Sequence, residues 1–74
     1  MGVDIHSSAI VDPKAELGEN VVVDAFAMIG PHAKLGDDCR VFHHATVEGR
    51  VSLGRGNLIY PYSLIGGLTH DLKY

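Results

Sequence analysis

Five histidines, one cysteine and a carboxylate–ammonium pair near the end of the chain are the side chains with chemistry to offer. The adjacent pair His43 and His44 invites a metal reading, but a metal centre needs several ligands converging on one point. Cys39 could attack a substrate only as an activated thiolate, and nothing near it in sequence suggests one, so it reads as a structural thiol. The run Gly54–Arg55–Gly56 lacks the spacing and the lysine of a phosphate-binding loop. Asp71 and Lys73 sit in the closing stretch GGLTHDLKY. From spacing alone they are a solvated pair. What any of these groups does depends on the elements that hold it.

Composition sets the frame. The chain has 74 residues, enough for one domain spanning 1–74. With 46% hydrophobic and 20% charged residues it is the chain of a folded protein. A net charge of −3 argues against a broad nucleic-acid-binding surface, while leaving small anions open, since those need only local positive charge. One cysteine excludes an intramolecular disulfide and favours a reducing compartment. The start MGVDIHSSAIVDPK has no secretory pattern, and no apolar run is long enough to span a membrane. The expected location is the cytoplasm.

The positioning elements come from a repeat. Cut into sixes from Ile5, the chain places Ile5, Val11, Leu17, Val23, Ile29, Leu35, Val41, Val47, Leu53, Ile59 and Ile65 in the first slot. Were a quarter of residues Ile, Leu or Val, such a run would arise by chance on the order of once in a million chains. The fifth slot is mostly small: Ala9, Ala15, Val21, Ala27, Ala33, Cys39 and Ala45, with Asn57 as the unusual member. The second slot holds Gly18, Gly30, Gly36, Gly54 and Gly66, with Asp12 and Asp24, and is expected to take positive φ.

A period of six keeps the first and fifth slots on one face of an extended chain, and it fits a helix poorly. Asn-Gly and Asp-Gly hairpin pairs are absent. Three short strands that turn at every hexad make a triangular coil of about 18 residues, stacked on the next at about 4.8 Å. Residues 18 apart then face one another. His6 meets Asp24, His32 meets Arg50, His43 meets Pro61, His44 meets Tyr62, and Ser52 meets His70. No histidine stacks on another, so no metal site is expected, and the histidines read as surface or subunit-contact residues. Phe42, Tyr60 and Tyr62 read as outer-face packing, Asn57 as a turn residue that satisfies backbone groups, and Gly54–Gly56 as a corner.

This pattern resembles the hexapeptide-repeat proteins. The resemblance implies an all-β fold, a left-handed parallel β-helix of a little under four triangular coils, whereas the rule for parallel crossovers alone would favour the opposite hand. So short a solenoid, open at both ends, is expected to need further coils, self-association or both.

Three stretches are more particular. IHSSAIVDPKAELGENV, IGPHAKLGDDCRVFHHATVEG, and GNLIYPYSLIG followed by DLKY resemble the N-terminal portion of UDP-N-acetylglucosamine O-acyltransferases. That family moves a 3-hydroxyacyl chain from acyl carrier protein to the sugar 3-hydroxyl, the first step of lipid A synthesis, without a cofactor and as a homotrimer. The resemblance makes Asp71 and Lys73 substrate-binding residues. The carboxylate would accept hydrogen bonds from sugar hydroxyls and the ammonium would face an anionic or carbonyl oxygen. Two departures stand out. His70 replaces the usual glutamine before DLKY, and GGLT replaces a segment that commonly holds Glu and Pro. The family's catalytic histidine lies beyond this segment and no histidine here matches it, so the 74 residues alone are expected to be inactive. Two other readings are a non-catalytic, self-associating scaffold and a segment of a related lipid A N-acyltransferase, against which DLKY argues.

Overall fold

In a computed structural model, which describes residues 2–66, every regular element is a strand two or three residues long. In chain order they are β1 (Asp4–Ile5), β2 (Ile10–Val11), β3 (Glu16–Leu17), β4 (Val22–Val23), β5 (Met28–Ile29), β6 (Ala33–Leu35), β7 (Arg40–Val41), β8 (Thr46–Val47), β9 (Val51–Leu53), β10 (Leu58–Ile59) and β11 (Leu64–Ile65). Each is the close of one hexad and the opening of the next.

Three parallel sheets form the walls of a prism. The first has the order β1-β4-β7-β10, the second β2-β5-β8-β11 and the third β3-β6-β9. Registers such as Ile5↔Val23, Val23↔Val41, Val41↔Ile59 and Leu17↔Leu35 confirm an 18-residue coil. Coils are joined by backbone hydrogen bonds, among them Val22 N to Cys39 O at 3.0 Å and Arg40 N to Asn57 O at 2.9 Å. Nine strands complete three turns, and β10 and β11 begin a fourth.

The coil is a left-handed parallel β-helix. The crossover rule fails here for a physical reason. It rests on strands long enough to twist and on a connection that packs back onto the same sheet. These strands are too short to twist appreciably, and each connection passes through two other walls.

The core matches the two slots that the repeat singles out. Its buried residues are six from the first slot (Val23, Ile29, Leu35, Val41, Val47, Ile59) and five from the fifth (Val21, Ala27, Ala33, Cys39, Ala45). Large side chains fill the prism beneath the walls and small ones fit where the chain turns. Burial falls away at the ends. Ile29, covered above and below, is 2% exposed, whereas Ile5 in the first coil is 42% exposed.

One expectation needs correction. Positive φ belongs to the fourth slot: Asn20, Phe26, Asp38, His44, Gly56 and Tyr62 have φ between 60° and 73°. Of the second-slot residues only Gly66 does so. Gly18 and Gly36 serve close approach instead. A Cβ on Gly36 would stand 2.7 Å from Gly54 C and 2.8 Å from Arg55 N, both backbone atoms. Glycine is there because the next coil leaves no room.

Candidate functional site

Asp71 and Lys73, with His70, lie outside the described residues. What the structure describes is the coil that leads to them. β11 pairs with β8, and Glu48 N donates to Ile65 O at 3.0 Å. The corner between the second and third sheets then changes course. Its equivalent positions are Pro13 and Pro31 in the first two coils and Gly49, with φ 82°, in the third. Gly66 follows with φ 75°. A Cβ on Gly49 would run into the Gly66 carbonyl oxygen, and one on Gly66 would run into the Val51 side chain and the Glu48 carbonyl. The two glycines therefore pass in contact, both left-handed. The regular corner is abandoned at Gly49 and Gly66, before the hexad pattern itself fails at Asp71.

The described histidines fall where the 18-residue offset puts them. The His44 ring is stacked between Phe26, at 5.1 Å between centroids, and Tyr62, at 5.0 Å. His43 meets His44 through their Nδ1 atoms, 2.9 Å apart, one donating and the other accepting. His6 is held locally by the Ser8 hydroxyl, 2.8 Å from its Nδ1. Among the described residues no three His, Cys, Asp or Glu side chains converge as metal ligands.

Cys39 is buried, and its Sγ donates to Gly54 O at 3.1 Å. One coil on, Asn57 Nδ2 donates to the same carbonyl at 2.9 Å. Both are corner residues that satisfy the backbone, and neither has a catalytic partner. Phe42 packs on Tyr60 and lies under the Arg40 guanidinium, 4.8 Å from the ring centroid. Arg40 is in turn held by Asp24 at 3.1 Å.

Sequence reasoning missed two columns. Phe26 completes the His44–Tyr62 stack, and Lys14 lies in line with His32 and Arg50. Extending the 18-residue comparison from histidines to every residue would have found both.

The family model for bacterial transferase hexapeptides, six repeats, matches residues 14–49. The match covers 36 of the 74 residues. Proteins similar to it include the UDP-N-acetylglucosamine O-acyltransferase of Chlamydia abortus, 39% identical over 71 residues, which is 96% of this chain and 25% of that relative. The enzyme of the same name from Thermodesulfovibrio yellowstonii is 37% identical over 71 residues, 96% of this chain and 28% of the relative. Among solved structures, the UDP-N-acetylglucosamine acyltransferase from Campylobacter jejuni superimposes with a TM-score of 0.88 at 28% identity, over 96% of this chain and 28% of that one. The Arabidopsis UDP-N-acetylglucosamine acyltransferase superimposes with a TM-score of 0.77 at 33% identity, over 81% of this chain and 21% of that one. The chain thus spans about a quarter of the length of the curated relatives it matches. Among the described residues no helix is long and apolar enough to cross a membrane.

Proposed function

We propose that this chain is the N-terminal β-helix segment of a UDP-N-acetylglucosamine O-acyltransferase. The enzyme would transfer a 3-hydroxyacyl chain from an acyl-carrier-protein thioester to the sugar 3-hydroxyl in lipid A synthesis, in the cytoplasm. The observation that carries this reading is similarity along 96% of the chain to an enzyme of that name. Hexapeptide coils by themselves define a scaffold and no reaction. In this reading Asp71 and Lys73 contact the sugar nucleotide, while the general base and most of the acyl-chain contacts come from residues outside these 74.

The assembly is a homotrimer in this reading, and the distribution of apolar surface supports self-association. Exposed Ile10, Met28 and Leu64 run down the second sheet, Leu58 stands on the first, and Phe26, Tyr60 and Tyr62 stand at the corner between them. The third sheet presents Glu16, Lys34 and Ser52 outward. An apolar face and an adjoining aromatic corner on a slender prism are surfaces that want partners. The same surface favours a second reading, a self-associating scaffold without catalysis.

A chimera separates the two. This chain replaces the equivalent quarter of the Campylobacter jejuni enzyme, and acyl transfer to UDP-N-acetylglucosamine is measured. The expected result is retained transfer, with Asp71→Ala and Lys73→Ala each lowering kcat/KM by about 10- to 100-fold, as for loss of one charged hydrogen bond. A chimera that assembles but shows no activity, or one indifferent to both substitutions, favours the scaffold. The unfused 74-residue chain should show no turnover.

A further inference from the structure

The corner between the second and third sheets carries a column of basic side chains. Lys14, His32 and Arg50 occupy equivalent positions on three successive coils, as the flanking registers Glu16↔Lys34 and Ala33↔Val51 require. All three line one groove of about 350 Å³, together with Lys34, Glu16 and Ser52. The acids of the same corner, Asp12 and Glu48, line a different groove on the second sheet.

The other cations among the described residues are each paired with an acid: Arg40 meets Asp24 at 3.1 Å and Arg55 meets Asp38 at 3.3 Å, and within this groove Lys34 meets Glu16 at 4.0 Å. Among the described residues neither Lys14 nor Arg50 makes an ion pair. Lys14 and Arg50 flank His32 two coils apart, and no carboxylate stands at those positions of the column. The groove holds three fixed cations, Lys14, Lys34 and Arg50, against the single carboxylate of Glu16. The His32 imidazole adds a ring N–H and the Ser52 hydroxyl another donor.

We propose that this groove binds an extended multivalent oxyanion, of the tripolyphosphate or tricarboxylate kind, laid along the prism axis so that successive charged groups meet successive coils. The coil rise of about 4.8 Å sets the spacing of the cations. A triphosphate places its two end phosphates about one rise apart, so it engages Lys14 and His32, or His32 and Arg50, together. A single orthophosphate reaches one rung only. Arg50 contributes a planar fork suited to two oxygens, and Lys14 and Lys34 act as point charges. Binding in so open a groove weakens with salt. The inference stands on the column alone and does not require the acyltransferase reading.

Calorimetric titration of the 74-residue chain in low-salt buffer tests it, with sodium tripolyphosphate in one arm, citrate in a second and orthophosphate at equal ionic strength in a third. Tripolyphosphate or citrate should bind more tightly than orthophosphate, and the tighter of the two names the source chemistry. Lys14→Gln and Arg50→Gln should each weaken binding about fivefold, the upper range for an exposed charge pair, and the double variant should abolish it. Arg55→Gln removes the same charge from another corner and should change nothing. Absence of binding overturns the proposal. So does an equal loss in Arg55→Gln, which would mean that net charge alone is sensed. Orthophosphate binding as tightly as tripolyphosphate would overturn the claim that the rungs act together. Because no sugar nucleotide or acyl donor is present, a negative result here leaves the acyl-transfer assay to be judged by itself.

Discussion

At the scale of single residues, glycine has two distinct uses in this prism, and substitutions tell them apart. Gly36 is where one coil passes so close beneath another that a Cβ would meet backbone atoms at 2.7 Å and 2.8 Å. Backbone cannot move aside as a side-chain tip can, so Gly36→Ala should destabilise the chain by about 1–3 kcal/mol. Gly30 also occupies a second slot, but its nearest prospective neighbour is 3.5 Å away and its φ is not positive. Gly30→Ala should be neutral or stabilise by less than about 1 kcal/mol, through the unfolded chain. Thermal unfolding of the two variants side by side checks the contrast. Cys39 makes a second test at this scale. Buried and donating to Gly54 O, it should react with a thiol reagent only as fast as the coil opens, and labelling should quicken in step with Gly36→Ala destabilisation.

At the scale of the element, a strand's worth depends on the coils above and below it. Ile5 and Ile29 are the same residue type in the same slot, yet they are 42% and 2% exposed. Ile29→Ala opens a cavity in the covered middle of the prism and should cost about 2–5 kcal/mol. Ile5→Ala removes a side chain that water already reaches and should cost less than about 1 kcal/mol. Denaturant midpoints of the two variants decide this. If they lose equal stability, the first coil is covered by something else, such as a second copy of the chain. The corners follow the same logic of neighbours. Phe26, His44 and Tyr62 hold left-handed φ although none is glycine. Stacking of each ring on the one in the next coil offsets part of that strain.

At the scale of the whole molecule, the outer face of the second sheet is apolar and that of the third is polar, and they predict different behaviour. Met28→Glu and Leu64→Glu place charges on the second sheet and should shift sedimentation towards the monomer without altering the strands. Lys34→Glu, on the third sheet, should leave the association state unchanged. Association that survives the first pair overturns the assignment of the contact faces.

The spacing of aliphatic residues determines the three-walled coil, though not its hand. Six is a multiple of the strand period, so the first and fifth slots had to share an inner face, and the buried core consists of members of those two slots. The same arithmetic paired His44 with Tyr62 and made Cys39 and Asn57 corner residues. The backbone sign at each corner was another matter. Slot composition pointed to the second-slot glycines, but φ is set by how the chain must turn between walls, and close approach between coils is invisible to a one-dimensional pattern. Hence Asn20, Phe26, Asp38, His44 and Tyr62 carry the left-handed turns, and Gly18 and Gly36 carry the tight passages. The change of corner at Gly49 and Gly66 was hidden for the same reason. The charges of Lys14 and Arg50 lie 36 positions apart in the chain and in one groove of the prism. Sequence fixes which side chains can face one another along a column. Only the folded coil decides which columns are left without a partner, because pairing and exposure are properties of three walls packed together.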